Sequence, residues 1–126
     1  MSNNSEKKHG VVILGHGSRL KDGLAVVIDT AGHFQERFPE YEVTHAFMEL
    51  SPPTLEEAVG VLVDRQLEKI SILPLFLSFG HHISKDLPKA MEKLENLYPG
   101  IVFERKAPIG AHPMLCDILY ERMYEK

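Results

Sequence analysis

Three separate stretches of this chain carry side chains able to hold a metal or accept a proton. Gly15-His16-Gly17-Ser18 sets an imidazole between two glycines, Glu49 follows Phe47-Met48, and His81-His82 follows Gly80. An imidazole titrates near neutral pH, so it can ligate a first-row divalent metal or act as a proton acceptor. Flanking glycines let the backbone turn sharply and let a large ligand come close. A carboxylate at position 49 would take up protons or complete a ligand set. Neighbouring residues of an extended loop point in opposite directions, so one of His81 and His82 faces a site and the other is structural. Each stretch alone has a plainer reading, since turn histidines and loop glutamates commonly just meet water. Their shared position in the chain pattern is what raises them.

That pattern is a regular alternation. Gly10-Val11-Val12-Ile13-Leu14 is a short, unbroken apolar run of the kind buried on both faces in a parallel sheet. From Lys21 to Phe38, Leu24, Val27, Ile28, Ala31, Phe34 and Phe38 recur at helical spacing, and Pro39 stops the helix. Tyr41 to Met48 is the second strand. Thr54 with Glu57 forms a capping box that opens the second helix. Ile70 to Phe76 is the third strand, with Pro74 placed at its carboxyl end because proline cannot donate to a ladder. Leu77 to Lys85 is expected to be a loop. A helix from about Leu87 to Leu97 follows, with Pro88 at its start and Asp86 as its cap. Ile101 to Arg105 is the fourth strand, and the last helix runs from about Pro113, with Cys116 packed inside it.

The order β-α-β-α-β-α-β-α predicts an α/β fold, a three-layer sandwich with a four-stranded parallel sheet flanked by helices. One domain spans residues 1–126, with a flexible leader over residues 1–9 that includes His9. Ligands of open α/β sheets bind outside the carboxyl ends of the strands, where strand order reverses. His16, Glu49 and His81-His82 follow the first, second and third strands. If the first strand lies between the other two, the three loops share one crevice. His33 falls on a helix and His45 on a strand, and both read as structural; His112, before Pro113, sits at a helix entry.

Composition removes several classes of function. The formal net charge is −4, so no global basic field gathers nucleic acid or an anionic membrane. One cysteine rules out an intrachain disulfide and a cysteine-rich metal site within one chain. No apolar run is long enough to cross a bilayer as a helix, and the first residues are polar, which points to the cytoplasm. The chain carries no Walker sequence, G-x-G-x-x-G, H-E-x-x-H or G-x-S-x-G. A histidine-nucleophile phosphatase would want arginine before His16, where Gly15 stands.

Taken together, several separated stretches resemble the short, single-domain sirohydrochlorin cobaltochelatases, relatives of the class II metal chelatases. They are Leu14-Gly15-His16-Gly17-Ser18-Arg19, then Phe47-Met48-Glu49-Leu50-Ser51-Pro52-Pro53 with Leu55-Glu56-Glu57-Ala58. Pro74-Leu75-Phe76-Leu77 with Gly80-His81-His82-Ile83 and Asp86-Leu87-Pro88 comes third, and Pro108-Ile109-Gly110 with His112-Pro113 fourth. The resemblance selects His82 over His81 and implies His16 and His82 as metal-binding residues, with Glu49 assisting the catalysis. It implies insertion of Co²⁺ into a sirohydrochlorin-type tetrapyrrole for cobalamin synthesis, the metal being a substrate and no cofactor being permanently bound. Ni²⁺ or Fe²⁺ would suit the same ligands, since affinity for N/O sites alone does not select among them. Arg19 and Lys85 are candidates to meet the carboxylates of the macrocycle. Family members of double length enclose one cleft between two such domains, so a homodimer is expected here. A non-catalytic metal carrier using the same histidines is the reading from another class.

Overall fold

A computed structural model of the protein describes residues 8–126. The leader read over residues 1–9 lies outside them except for its end, and there the boundary moves. The carbonyl of Lys8 accepts from the Glu68 and Lys69 N–H groups, and His9 opens the first strand. The chain then alternates as β1 (His9–Gly15), α1 (Lys21–Arg37), β2 (Glu42–Phe47), α2 (Leu55–Val63), β3 (Lys69–Pro74), α3 (His81–Leu97), β4 (Val102–Arg105) and α4 (Met114–Met123).

All strands are parallel, in the order β2-β1-β3-β4. The chain steps one way from β1 to β2, then crosses back over β1 to reach β3 and β4. Right-handed crossovers in opposite directions put helices on opposite faces, so α1 covers one face while α2 and α3 cover the other. Side chains alternate accordingly. Val12 and Leu14 of β1 join Ile70 and Ile72 of β3 beneath α2 and α3, whereas Val11 and Ile13 meet Val27 and Ala31 of α1. The loops after β1 and β3 therefore diverge to opposite faces, and a crevice opens between these adjacent strands at their carboxyl ends.

Local chemistry sets most boundaries. Thr54 and Glu57 form the capping box reciprocally, at 3.1 and 2.8 Å. Pro74 is the last residue of β3, and the Leu75 N–H donates to the Leu14 carbonyl in its place, at 2.8 Å. α3 departs from expectation. It begins at His81 rather than near Leu87, so Pro88 lies inside it and Asp86 is not its cap; Gly80 holds that position. Ile83, Leu87, Met91 and Leu94 are all buried along one face of α3, and their packing outweighs the one backbone bond that exposed Pro88 cannot make. Cys116 departs too. It is exposed on α4, a helix with no buried residue.

Candidate metal centre

The loop after β1 is fixed by close backbone approach. A Cβ on Gly15 would stand 2.4 Å from the Val27 side chain, which seats α1 against the end of β1. Gly17 has φ of 114°, and a Cβ there would fall 1.8 Å from the carbonyl oxygen of Glu49. Only glycine fits both the conformation and the gap. The two loops are then stitched together: Met48 N–H donates to the Gly15 carbonyl at 3.0 Å, Glu49 N–H to the His16 carbonyl at 3.1 Å, and Ser51 Oγ to the Ser18 carbonyl at 2.8 Å. Leu50, beside Glu49, takes a positive φ of 71°, a conformation that costs a non-glycine residue energy and recurs at functional sites. His16 and Glu49 thus form one rigid unit.

The third loop brings its histidine to the same place. His82 lies in the first turn of α3, and its Nε2 is 2.8 Å from Asp86 Oδ2 one turn further on. The same Nε2 is 3.6 Å from Glu49 Oε1, while His16 Nε2 is 3.3 Å from Glu49 Oε2. One carboxylate therefore presents an oxygen to each of two imidazoles from opposite sides of the crevice. The side chains of His16, His82 and Glu49 are 56%, 67% and 42% exposed, so the cluster is open to a solvent-borne ion. Phe76 stands edge-on to His16, with ring centroids 6.2 Å apart.

Among the described residues no three His, Cys, Asp or Glu side chains are arranged as a ready cage for a metal. The separations within the cluster are those of ion pairs, longer than the 2.0–2.2 Å of metal bonds to nitrogen or oxygen. Two imidazoles and two carboxylates in one open crevice nevertheless suit a divalent cation held briefly with positions left for exchange.

The other sequence candidates fall where their elements put them. Arg19, in the loop after His16, and Lys85, in α3, are exposed. His81 is exposed beside His82, and its carbonyl accepts from Ser84 Oγ. His112 Nδ1 accepts from the Met114 N–H at 3.1 Å, at the entry to α4. His33 is exposed on α1, while His45 lies edge-on to Phe47, its pKa lowered by burial. Sequence reading gave Asp86 a capping role and missed its bond to His82. The signal was the four-residue spacing of the pair, legible once both are assigned to one helix. An apolar concavity of about 470 Å³ lined by Pro108, Ile109, His112, Met114, Leu115 and Ile118 also went unread. It is tied to the crevice by Ile109 and Gly110 N–H groups donating to the carbonyls of Phe76 and Leu77.

Comparison with known proteins gives a consistent result. The family model described as CbiX matches residues 10–126. The chain is 32% identical over 126 residues to the sirohydrochlorin cobaltochelatase of Methanosarcina barkeri, covering 94% of this chain and 97% of that protein. It is 28% identical to the chloroplastic sirohydrochlorin ferrochelatase of Arabidopsis thaliana, covering 90% of this chain and 51% of the relative. The crystal structure of the sirohydrochlorin chelatase SirB from Bacillus subtilis subspecies spizizenii in complex with cobalt superposes with a TM-score of 0.84 at 26% identity. That match covers 92% of this chain and 50% of SirB.

Proposed function

Because the chain belongs to the CbiX family, we propose that it is a metal-inserting lyase that places Co²⁺ into a sirohydrochlorin-type tetrapyrrole, a step of cobalamin synthesis. The observation that carries this reading is the Glu49 carboxylate shared between His16 and His82 at the carboxyl ends of the sheet. Insertion demands a metal that exchanges ligands readily and a ring that surrenders two pyrrole protons as metal–nitrogen bonds form. His16 and His82 take the metal from water and leave its remaining positions open. As the ring nitrogens displace the imidazoles, the two protons pass to the freed bases of the cluster, with Glu49 placed to accept from either side. Asp86 holds the same His82 Nε2 that faces Glu49, so it fixes the ring in the crevice and yields that nitrogen when a metal arrives. Arg19 and Lys85 meet carboxylates of the macrocycle, and Phe76 with the apolar concavity beside it offers a wall for the ring.

In one chain the His16 and His82 side chains stay 56% and 67% exposed. This chain matches about half of the SirB chain, so two copies supply what a double-length chain carries in one. A homodimer in the cytoplasm is the assembly this reading requires, and no described helix is long and apolar enough to cross a membrane. The same insertion with Fe²⁺ is the second reading, favoured by the likeness to a sirohydrochlorin ferrochelatase. A carrier that stores the metal would want closed ligation, against which the exposed imidazoles argue.

The test is direct. Purified protein is mixed with sirohydrochlorin and Co²⁺, or Fe²⁺ under reducing conditions, and the absorption spectrum of the ring is followed. Acceleration over a protein-free control is expected, with Co²⁺ faster. Equal rates with and without protein would overturn the proposal.

A further inference from the structure

A row of rings leads from the metal centre outward to a cation. His16 stands edge-on to Phe76, and Phe76 stands edge-on to Phe79 with ring centroids 5.9 Å apart. The guanidinium carbon of Arg105 then lies 5.6 Å from the centre of the Phe79 ring. The row follows the order of the strands. His16 comes from the loop after β1, Phe76 and Phe79 from the segment between β3 and α3, and Arg105 ends β4. It therefore crosses three neighbouring strands, on the side of β1 away from β2 and Glu49. Two strand spacings amount to about 10 Å.

Local sequence builds this row. Phe103 packs on the core beneath α2 and α3, and Arg105, two residues further along β4, shares its face. Phe76 and Phe79 rest on the same core and are each half-buried, which leaves part of both rings uncovered. Leu77, between them in the chain, is 66% exposed. Arg105 itself is exposed. Nearby lysines are matched with acids: Lys69 and Lys106 pair with Glu104, and Lys93 with Glu56. Among the described residues no carboxylate pairs with Arg105, and an aromatic ring holds it instead. A neutral ring leaves the charge of the guanidinium uncancelled and its N–H donors available. That planar fork suits a carboxylate, which it can bind at two points. A flat ligand with an apolar face and an anionic rim finds both of its needs met along this row.

We propose that Phe79 and Arg105 form an outer substrate subsite. The macrocycle lies against the Phe76–Phe79 row, and the Arg105 guanidinium binds a carboxylate on its rim. The subsite rests on the chelatase reading and assigns recognition of the ring to residues remote from the metal. The contact is the same before and after the metal enters, so it governs KM for the ring and leaves kcat alone.

Full-length variants test this by Co²⁺ insertion at varied sirohydrochlorin, and by the fluorescence of the metal-free ring as protein is added. Arg105→Gln is expected to raise KM and the Kd of the metal-free ring by about tenfold, with kcat within about twofold of wild type. KM for Co²⁺ should not move. Arg105→Lys keeps the charge without the fork and should fall between the two. Added salt should weaken ring binding to wild type more steeply than to Arg105→Gln. Phe79→Leu keeps an apolar contact but removes the ring under the guanidinium, and should raise KM by a smaller factor. Unchanged KM and Kd in Arg105→Gln, with wild type active, overturn the subsite and leave the chelatase standing. A fall in kcat alone overturns it as well. If Arg105→Gln does not fold, wild-type KM in both Arg105→Lys and Phe79→Leu has the same consequence. A wild type that neither binds the ring nor accelerates insertion overturns the chelatase reading and the subsite with it.

Discussion

Glu49 has two oxygens, and His16 and His82 each face one of them, so two imidazoles from distant parts of the chain depend on one carboxylate. Glu49→Gln keeps the size and removes the proton acceptor. Insertion is expected to slow by about 100-fold or more in initial-rate assays, while the variant still binds Co²⁺. Asp86 is a positioning residue for His82, in contact with the same Nε2 that faces Glu49. Asp86→Asn should reduce the rate by about tenfold and shift the pH–rate profile, whereas a merely structural role would leave the profile where it was. Gly17 carries no chemistry yet sits closest to Glu49. Gly17→Ala forces a Cβ into the Glu49 carbonyl and strains the backbone, at a cost of about 1–3 kcal/mol in denaturant unfolding. It should also lose insertion activity, since the clash falls on Glu49 itself.

At the scale of elements, the apolar runs and punctuating residues made most of the fold legible. The β1 run is buried throughout its apolar residues, the capping box opens α2, and Pro74 ends β3 as its missing donor requires. The place of β1 between β2 and β3, which the alternation of elements alone does not fix, is what brings the three segments together. α3 was misread because Pro88 and Asp86 together imitate a helix start. The competing signal was Ile83, which shares a face with Leu87 and Met91. That error hid the His82–Asp86 pair, for an i,i+4 contact exists only once both residues are helical. α4 departs for a different reason: its mostly apolar sequence reads as core, yet no residue of it, Cys116 included, is buried. Leu87 is fully buried, and Leu87→Ala should cost about 2–5 kcal/mol in denaturant unfolding. A loss below 1 kcal/mol would mean that α3 is not anchored as described.

For the whole molecule, two histidines outside the site make stability depend on pH. Burial lowers the pKa of both His9 and His45 from the ordinary 6.5; for His9, Lys69 and Lys106 add to this while Glu104 opposes it. The unfolded chain then takes up protons that the folded chain refuses. This contribution is complete above about pH 6.5 and is lost as pH falls through and below that value. The thermal midpoint should therefore drop from about pH 7.5 to about pH 5.5, and His45→Gln should flatten the slope. A midpoint that rises over that interval would contradict the assignment.

The measurement closest to the centre of the account is a double-mutant cycle on Co²⁺ insertion. His16→Ala and His82→Ala are each expected to lose most of the activity with circular dichroism unchanged, and His81→Ala to be milder. If both imidazoles hold one metal ion, the double variant should be scarcely slower than either single one, because the first substitution already breaks the site. Losses that multiply, or full activity in either single variant, would show that residues 16 and 82 do not share a metal.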